Sequence, residues 1–587
     1  VKRFLWTEKV FDDSKTSKKP YFGDQQMDGV KVLRAIGGAG TGKTRLMIST
    51  AEKALARPEV GGNPFAIGFS SFTRAARAEA AGRAAQAWGM AQAELERDGW
   101  FRTCHSVAYR QLGVSKGEVL GGSKADDKWV SEALGSDVAY SVEEDGGYAV
   151  YTGDPVAAAA LNYWSLARSM VVPLREIAES AYEWEDDAPS AEEVIRRIEM
   201  YETAKRLDGR VDFTDLLCRF VGVSNDPAGG PDFVAPEGKV PDGVVGWIFD
   251  EAQDASKLLD MACRRLVSGD SCKWAWIVGD PFQVLYSWAG ASSEFFMGWP
   301  VVRQEIMPKS YRCAAPILQL GEDCLQRLHK GYWNRGIAAA DHDGEVVESG
   351  NYEDDLSDLT PDRETLVIAR TNRNVGRIAS ILEDCGVPYR RIKAKDGAHN
   401  ADIGMAGLWK LEHGQHATRE EWTQAIDLLP SQTIRREAGV EHKETLLARG
   451  SKAQWSRGLA ERHDILFPED LAGVGATEHL RGMIADGRWC ELVDGGIKWH
   501  RAAKKFGLEV VASPKIRIGT IHAAKGMEAD NVIVLSSVGR RIRDGEERSD
   551  ERHDEERRIE YVAVTRARKR LVVAHDPREK YRMELPL

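Results

Sequence analysis

The sequence predicts an α/β protein built on parallel sheet, and three stretches carry that prediction. A β-branched run, Val32-Leu33-Arg34-Ala35-Ile36, passes through Gly37-Gly38-Ala39-Gly40-Thr41-Gly42-Lys43-Thr44-Arg45 into an amphipathic helix. Val244-Val245-Gly246-Trp247-Ile248-Phe249 is an apolar run of strand length that ends in Asp250-Glu251-Ala252-Gln253-Asp254. Trp274-Ala275-Trp276-Ile277-Val278 is a third, ending in Gly279-Asp280-Pro281-Phe282-Gln283. Strands without polar alternation are buried on both faces, as in parallel sheets covered by helices.

The first stretch has the spacing G-x-x-x-x-G-K-[ST] in the strand-loop-helix setting that a phosphate-binding loop requires. Glycines let the backbone wrap closely around a triphosphate and point successive N–H groups at it, beside the positive end of the following helix. Lys43 is then placed against the β- and γ-phosphates, and the Thr44 hydroxyl holds Mg²⁺. A glycine-rich turn with a coincidental Lys-Thr is the alternative; strand and helix on the correct sides favour the phosphate loop.

In the second stretch two adjacent carboxylates divide the work. Asp250 binds Mg²⁺ through its water shell and Glu251 polarises the attacking water. Such pairs are common on solvated surfaces, but one placed directly after an apolar strand points to a ligand. In the third stretch Gln283 is neutral and able to sense the γ-phosphate and orient water. Tyr286 and Trp288 follow on a small-residue background, suited to base stacking or to packing.

At 587 residues the chain exceeds one core and divides into three or four units. Its 43% apolar and 29% charged residues are those of a soluble globular protein. No apolar run reaches bilayer length, and Val1-Lys2-Arg3-Phe4-Leu5-Trp6 lacks the apolar core of a secretory leader, so the cytoplasm is the expected compartment and no membrane partner is expected. Eight scattered cysteines form no C-x-x-C pair, which argues against structural zinc and a disulfide framework. A net charge of −11 excludes a histone-like coat of positive charge but not a local cationic groove.

Ahead of the phosphate loop, Gln25 or Gln26 offers the paired amide donor and acceptor that an adenine edge demands. Phe65-Ala66-Ile67-Gly68-Phe69-Ser70 is another short strand, followed by Ser71-Phe72-Thr73-Arg74 and an Ala-rich helix. An aromatic, a hydroxyl and a cation there suit single-stranded nucleic acid, Phe72 stacking on a base while Thr73 and Arg74 meet phosphate; a phenylalanine taken alone in that setting is more often core. Trp100 to Ser106, with Thr103 and His105, has the same character. Residues 106–210 read as mainly helical, with Gly- and Asp-rich breaks around 121–127 and 143–154. Arg210 to Leu217 reads as the return of that insertion.

The series of Gly37–Thr44, Ser71-Phe72-Thr73, Thr103-Cys104-His105-Ser106, Asp250–Asp254 and Val278–Gln283 resembles the UvrD/Rep type of superfamily 1 helicases. Lys309-Ser310-Tyr311-Arg312 resembles the family's fourth motif, Ile518–Glu528 the fifth and Glu556–Ala567 the sixth. The resemblance spans residues 37 to 570. It implies two RecA-like P-loop motor domains, parallel sheets flanked by helices, with ATP between them and two mainly helical inserted accessory subdomains. On that reading the first motor takes residues 1–105 and 211–305 around an insertion at 106–210. The second takes 306–395 and 512–587 around an insertion at 396–511. Tyr311 is then an adenine stacker, Arg312 and Arg566 reach the γ-phosphate from the second motor, Glu528 meets the ribose, and strand contacts extend to His522.

Three further strands, Thr365–Arg370, Asn531–Leu535 and Arg570–Ala574, are legible as β-branched runs. In the 396–511 insertion, Trp409, Trp422, Trp455, Trp489 and Trp499 are read as core first and duplex contacts second. Departures from the family pattern are Ala289, where arginine usually follows the tryptophan, and Arg74-Ala75 in place of Asn-Lys. The chain ends soon after the sixth motif, so no fused nuclease domain is expected. The implied function is an ATP-dependent motor on single-stranded DNA and single-to-double-strand junctions, moving 3′ to 5′ and unwinding duplex. A protein-stripping translocase and a nucleic-acid-independent P-loop switch are the rival readings.

Overall fold

A computed structural model describes residues 29–71, 74–143, 148–184, 188–392, 396–430 and 464–587. The chain divides into two compact units. One comprises the chain to Gly344 with Arg540–Thr565 and the last three residues; the other comprises Glu345–Gly539 with Arg566–Glu584.

The first unit is organised on a six-stranded sheet, in spatial order Arg303–Ile306, Lys31–Ile36, Trp274–Gly279, Gly246–Asp250, Ile67–Ser71 and Trp100–Phe101. All five pairings are parallel. Successive side chains of a strand point to opposite faces, and two separate cores result. Val32, Trp247, Phe249, Ala275 and Ile277 enter one. Ala35, Ile248, Trp274 and Val278 enter the other. Gly246 makes this possible: a Cβ there would fall 2.0 Å from the Trp274 indole, so only glycine seats that ring flat on the sheet.

Because every strand runs the same way, the loops after Ile36, Ser71, Asp250 and Gly279 all leave the same edge of the sheet. Functional loops of open α/β sheets gather at that edge.

The 106–210 insertion is largely helical as expected, with helices Lys124–Leu134, Pro155–Met170, Leu174–Trp184 and Ala191–Asp208 around a core of its own. It also contains an antiparallel hairpin, Val138–Glu143 with Tyr148–Gly153, where a break was expected. The alternation of Val138, Tyr140 and Val142 is a strand signal that the neighbouring acidic and glycine residues masked.

The insertion is tied to its return segment by buried charge. The helix Phe213–Val221 starts with a capping box of Asp212 and Asp215. Arg168 donates to both Asp212 oxygens at 3.1 and 2.8 Å, and Lys205 Nζ lies 3.0 Å from Asp212 and 2.6 Å from Asp215. Burial alone would raise the Asp212 carboxyl, but Arg168 and Lys205 hold it well below the usual carboxylate range. Asp215 is pushed up, by burial and by Asp212 beside it.

The second unit carries another six-stranded parallel sheet, in order Glu345–Ser349, Ala567–Ala574, Ala529–Leu535, Thr365–Ala369, Ile516–Thr520 and Arg390–Arg391. The three strands read from the sequence here are central members. Its insertion packs helices Asp396–Glu412, Arg419–Leu428, Glu478–Ala485 and Gly496–Phe506 around Leu408, Trp422, Trp489 and Trp499. These tryptophans are core; Trp409 packs against them half-buried, and Trp455 lies outside the described residues.

Two stretches that chain order assigned to the second motor, 306–344 and 540–565, pack with the first unit instead. The helix Asp550–Val564 lies against the helix Ala315–Gln326. Gly321 allows it: a Cβ there would meet Thr565 at 3.0 Å and Tyr561 at 3.2 Å.

Candidate active site

The phosphate loop joins the strand Lys31–Ile36 to the helix Lys43–Leu55. Gly40 (φ 67°) and Gly42 (φ 84°) are left-handed, a conformation that only glycine adopts without strain. Gly42 occupies the N-cap without any side-chain cap, which leaves the first-turn amides to a ligand. Lys43 Nζ donates to the Gly37 carbonyl at 3.1 Å and reaches Gly38 O at 3.5 Å, so the cation lies back along the loop. The Thr41 hydroxyl donates to Gly38 O at 3.0 Å. Thr44 is half-buried and Arg45 exposed.

The 306–344 stretch clasps this loop. Tyr311 N donates to Gly40 O at 2.8 Å and Ser310 Oγ to Ala39 O at 2.8 Å. A Cβ on Gly40 would lie 2.2 Å from the Arg312 Cβ, so the clasp itself requires glycine. Tyr311 is 68% exposed, with its ring edge 3.9 Å from where a Gly42 Cβ would be. An open aromatic face beside the loop is the geometry a purine needs. Arg312 is half-buried and donates to Thr565 O at 3.2 Å.

At the next strand tip Asp250 is buried and Glu251 is left-handed at φ 53°, a rare state for a residue with a side chain. That turn swings Glu251 off the strand axis. Burial and the neighbouring Glu251 push the Asp250 carboxyl up to about 8, against the pull of Lys43. A carboxylate so costly to ionise alone is one that a hard divalent cation would compensate, and with the Thr44 hydroxyl it supplies oxygen ligands of the kind Mg²⁺ takes.

Glu251 is wired to the third loop. Gln253 Nε2 donates to Glu251 at 2.6 Å, and Gln253 Oε1 accepts from Asp280 N at 3.0 Å. Gln283, buried, donates through Nε2 to Asp280 at 2.8 Å. The structure thus brings Lys43, Asp250, Glu251, Gln283, Tyr311 and Arg312 together in one unit. Arg335, which no sequence motif flagged, joins them by donating to Asp280 at 2.7 Å.

Arg566 and Glu528 belong to the second unit. They immediately precede the paired strands Ala567–Ala574 and Ala529–Leu535, whose register aligns Ala529 with Ala567 and so sets them side by side. Arg566 is buried and donates to Met527 O at 3.3 Å; Glu528 is ion-paired with Arg568.

The expected strand contacts fare unevenly. Gln25, Gln26, Phe72, Thr73 and the Arg74 side chain lie outside the described residues. The Thr103 hydroxyl caps the helix Cys104–Leu112 by accepting from Ser106 N, a structural task. His105 is half-buried, edge-on to Phe213 at 6.2 Å. Trp288 is half-buried, but Tyr286, expected beside it in a stacking platform, is 2% exposed and edge-on to Trp288 at 6.3 Å. Such burial leaves its ring no face for a base; it backs Trp288 instead. His522 is buried as well.

Among the described residues, two groups elsewhere have metal-ligand composition. Glu202, Asp212 and Asp215 are already neutralised by Lys205 and, at the two aspartates, by Arg168. His329 and His553, near Asp554, stack 4.1 Å apart at 13°. Near-parallel rings hold their in-plane lone pairs in separate planes, so both cannot face one ion.

A phosphate loop, a paired-carboxylate tip and a glutamine loop at one edge of a parallel sheet define a P-loop ATPase of RecA-like architecture, here with a second sheet of the same kind. Residues 29–299 match the UvrD/REP helicase N-terminal domain and residues 503–576 the UvrD-like helicase C-terminal domain. The chain belongs to the UvrD/Rep helicase family. It is 25% identical over 603 residues to the ATP-dependent DNA helicase UvrD2 of Mycobacterium tuberculosis (strain ATCC 25618 / H37Rv), covering 94% of this chain and 78% of that protein. It is 24% identical over 621 residues to the putative ATP-dependent DNA helicase YjcD of Bacillus subtilis (strain 168), covering 92% and 76%. The ATP-dependent DNA helicase srs2 of Schizosaccharomyces pombe (strain 972 / ATCC 24843) is 24% identical over 426 residues, 65% of this chain and 45% of that one. No helix among the described residues is long and apolar enough to cross a membrane.

Proposed function

We propose that this chain hydrolyses Mg²⁺-ATP while moving 3′ to 5′ along single-stranded DNA, and that the movement separates duplex ahead of it. The observation that carries the reading is the assembly of Lys43, Asp250, Glu251 and Gln283 at one sheet edge, with Glu251 and Gln283 hydrogen-bonded through Gln253 and Asp280. The relatives' names supply DNA as the substrate, and polarity rests on the family resemblance.

In this reading Lys43 binds the β- and γ-phosphates, Thr44 and Asp250 hold Mg²⁺, and Glu251 activates water. Gln283 senses the γ-phosphate, Tyr311 stacks on adenine and Glu528 meets the ribose. Arg312 and Arg566 are the cations that stabilise charge as the phosphoryl group transfers. Phe72, Thr73, Arg74, His105 and Trp288 hold the strand. The insertions at 106–210 and 396–511 serve as accessory subdomains.

The test is ATPase rate against single-stranded DNA, RNA, and duplex with either overhang, beside strand displacement on a fork and streptavidin displacement from single strands. Stimulation by single-stranded DNA with unwinding from a 3′ overhang is the expected result. Streptavidin displacement without unwinding would identify a stripping translocase, and no stimulation by any nucleic acid would identify a P-loop switch.

A further inference from the structure

Asp280 is fully buried directly after the strand Trp274–Gly279. A carboxylate there is tolerable only if paired and fully hydrogen-bonded. Arg335, 4% exposed, supplies the charge: NH1 donates to Asp280 Oδ1 at 2.7 Å and NH2 to Glu322 at 2.5 Å. Its guanidinium is fixed between rings, 4.7 Å from the centroid of Phe282 and 5.2 Å from that of Tyr561. Asp280 Oδ2 accepts from Gln283 Nε2 at 2.8 Å and from the Tyr561 hydroxyl at 3.2 Å. That hydroxyl accepts in turn from Ala39 N–H at 3.1 Å and from Arg335 at 3.3 Å.

One buried carboxylate–guanidinium pair therefore joins three elements: the phosphate loop at Ala39, the glutamine loop at Gln283, and the helix Asp550–Val564, which carries Tyr561. We infer that Arg335 is a positioning residue for ATP hydrolysis, holding Asp280 so that Asp280 in turn fixes the Gln283 amide and, through Tyr561, the phosphate loop. The inference rests on the reading of Gln283 as γ-phosphate sensor. An amide held by its nitrogen has one orientation relative to the attacking water, whereas a loosened one samples both, and misorientation lowers turnover without weakening nucleotide binding. Burial, opposed by Arg335, raises the Tyr561 phenol far above its ordinary value, so the hydroxyl keeps its proton and remains a donor to Asp280.

The experiment uses the full chain with saturating oligo-dT, measuring kcat and KM for ATP, affinity for a fluorescent ATP analogue, and thermal unfolding. Arg335→Lys keeps a cation but loses the fork, and Tyr561→Phe removes one oxygen. Each is expected to lower kcat by roughly tenfold, with KM and analogue affinity within about threefold of wild type. Arg335→Met is expected to lose about a hundredfold, partly restored in Arg335→Lys. In a Gln283→Ala background the loss from Arg335→Lys should shrink from roughly tenfold to less than about threefold, because only its link through Tyr561 to the phosphate loop is left to disturb. Wild-type kcat in folded Arg335→Lys and Tyr561→Phe overturns the inference, as does a loss confined to nucleotide affinity. If instead Gln283→Ala alone hydrolyses ATP at the wild-type rate, it is the sensor reading that fails.

Discussion

The two sheets share strand number and parallel pairing, yet the residues proposed to meet ATP stand at opposite strand ends. In the first, the residues assigned to ATP follow strand C-termini: Lys43 after Ile36, Glu251 after Asp250, Gln283 after Gly279. In the second, Glu528 and Arg566 precede strand N-termini, at Ala529 and Ala567. C-terminal ends open into loops whose amides and carboxylates can wrap phosphate and metal. The N-terminal positions instead deliver single side chains whose placement is set by register. The same scaffold thus supplies a phosphate loop in one case and single charged side chains beside paired strands in the other.

The sharpest way to break this contrast is a paired substitution. Lys43→Ala is expected to remove both analogue binding and hydrolysis, whereas Arg566→Lys should keep binding and lose turnover on the order of 10³-fold, since a point charge does not replace a planar fork. Steady-state ATPase with fluorescent-analogue titration separates the two outcomes; a binding defect in Arg566→Lys would make that residue part of nucleotide binding after all.

The next effect is on stability. Asp212→Asn leaves Arg168 and Lys205 with less compensation in a buried site and should cost about 3–5 kcal/mol, read as a lower urea midpoint. The sign with pH follows from the depressed Asp212 carboxyl. Its contribution is full above the unfolded carboxylate value of about 3.9 and is lost as pH falls through the lower folded value, so the gap between wild type and Asp212→Asn narrows under acid. A gap that widened below pH 4 would contradict the assignment.

The smallest effect concerns the strand. Trp288→Ala should weaken oligo-dT binding by about 1–3 kcal/mol, while Tyr286→Leu, which removes a ring that is already buried, should leave it nearly unchanged. Fluorescence anisotropy reads both; equal losses would restore Tyr286 to the platform.

What could be read in advance was whatever local pattern encodes. Gly37–Thr44 announces itself because a tight anion loop needs glycine at fixed spacing, and the strands at Gly246–Asp250 and Thr365–Ala369 because burial on both faces needs an unbroken apolar run. Arg335 was invisible for the opposite reason. Its partners Asp280 and Tyr561 lie 55 and 226 residues away, and Asn334-Arg335-Gly336 has no pattern of its own. Tyr286 and Trp288 looked alike in sequence, and only packing distinguishes a ring enclosed in the core from one at its margin. The grouping of 306–344 with the first unit also depends on contacts with the phosphate loop that no local signal records.

Glu251, turned off its strand by a left-handed backbone and wired to Gln283, is the group we propose to activate the water that attacks ATP. Single-turnover hydrolysis by Glu251→Gln with saturating single-stranded DNA tests it most directly. ATP affinity should be unchanged and the rate lower by about 10²–10⁴-fold; hydrolysis at the wild-type rate would remove Glu251 from that role.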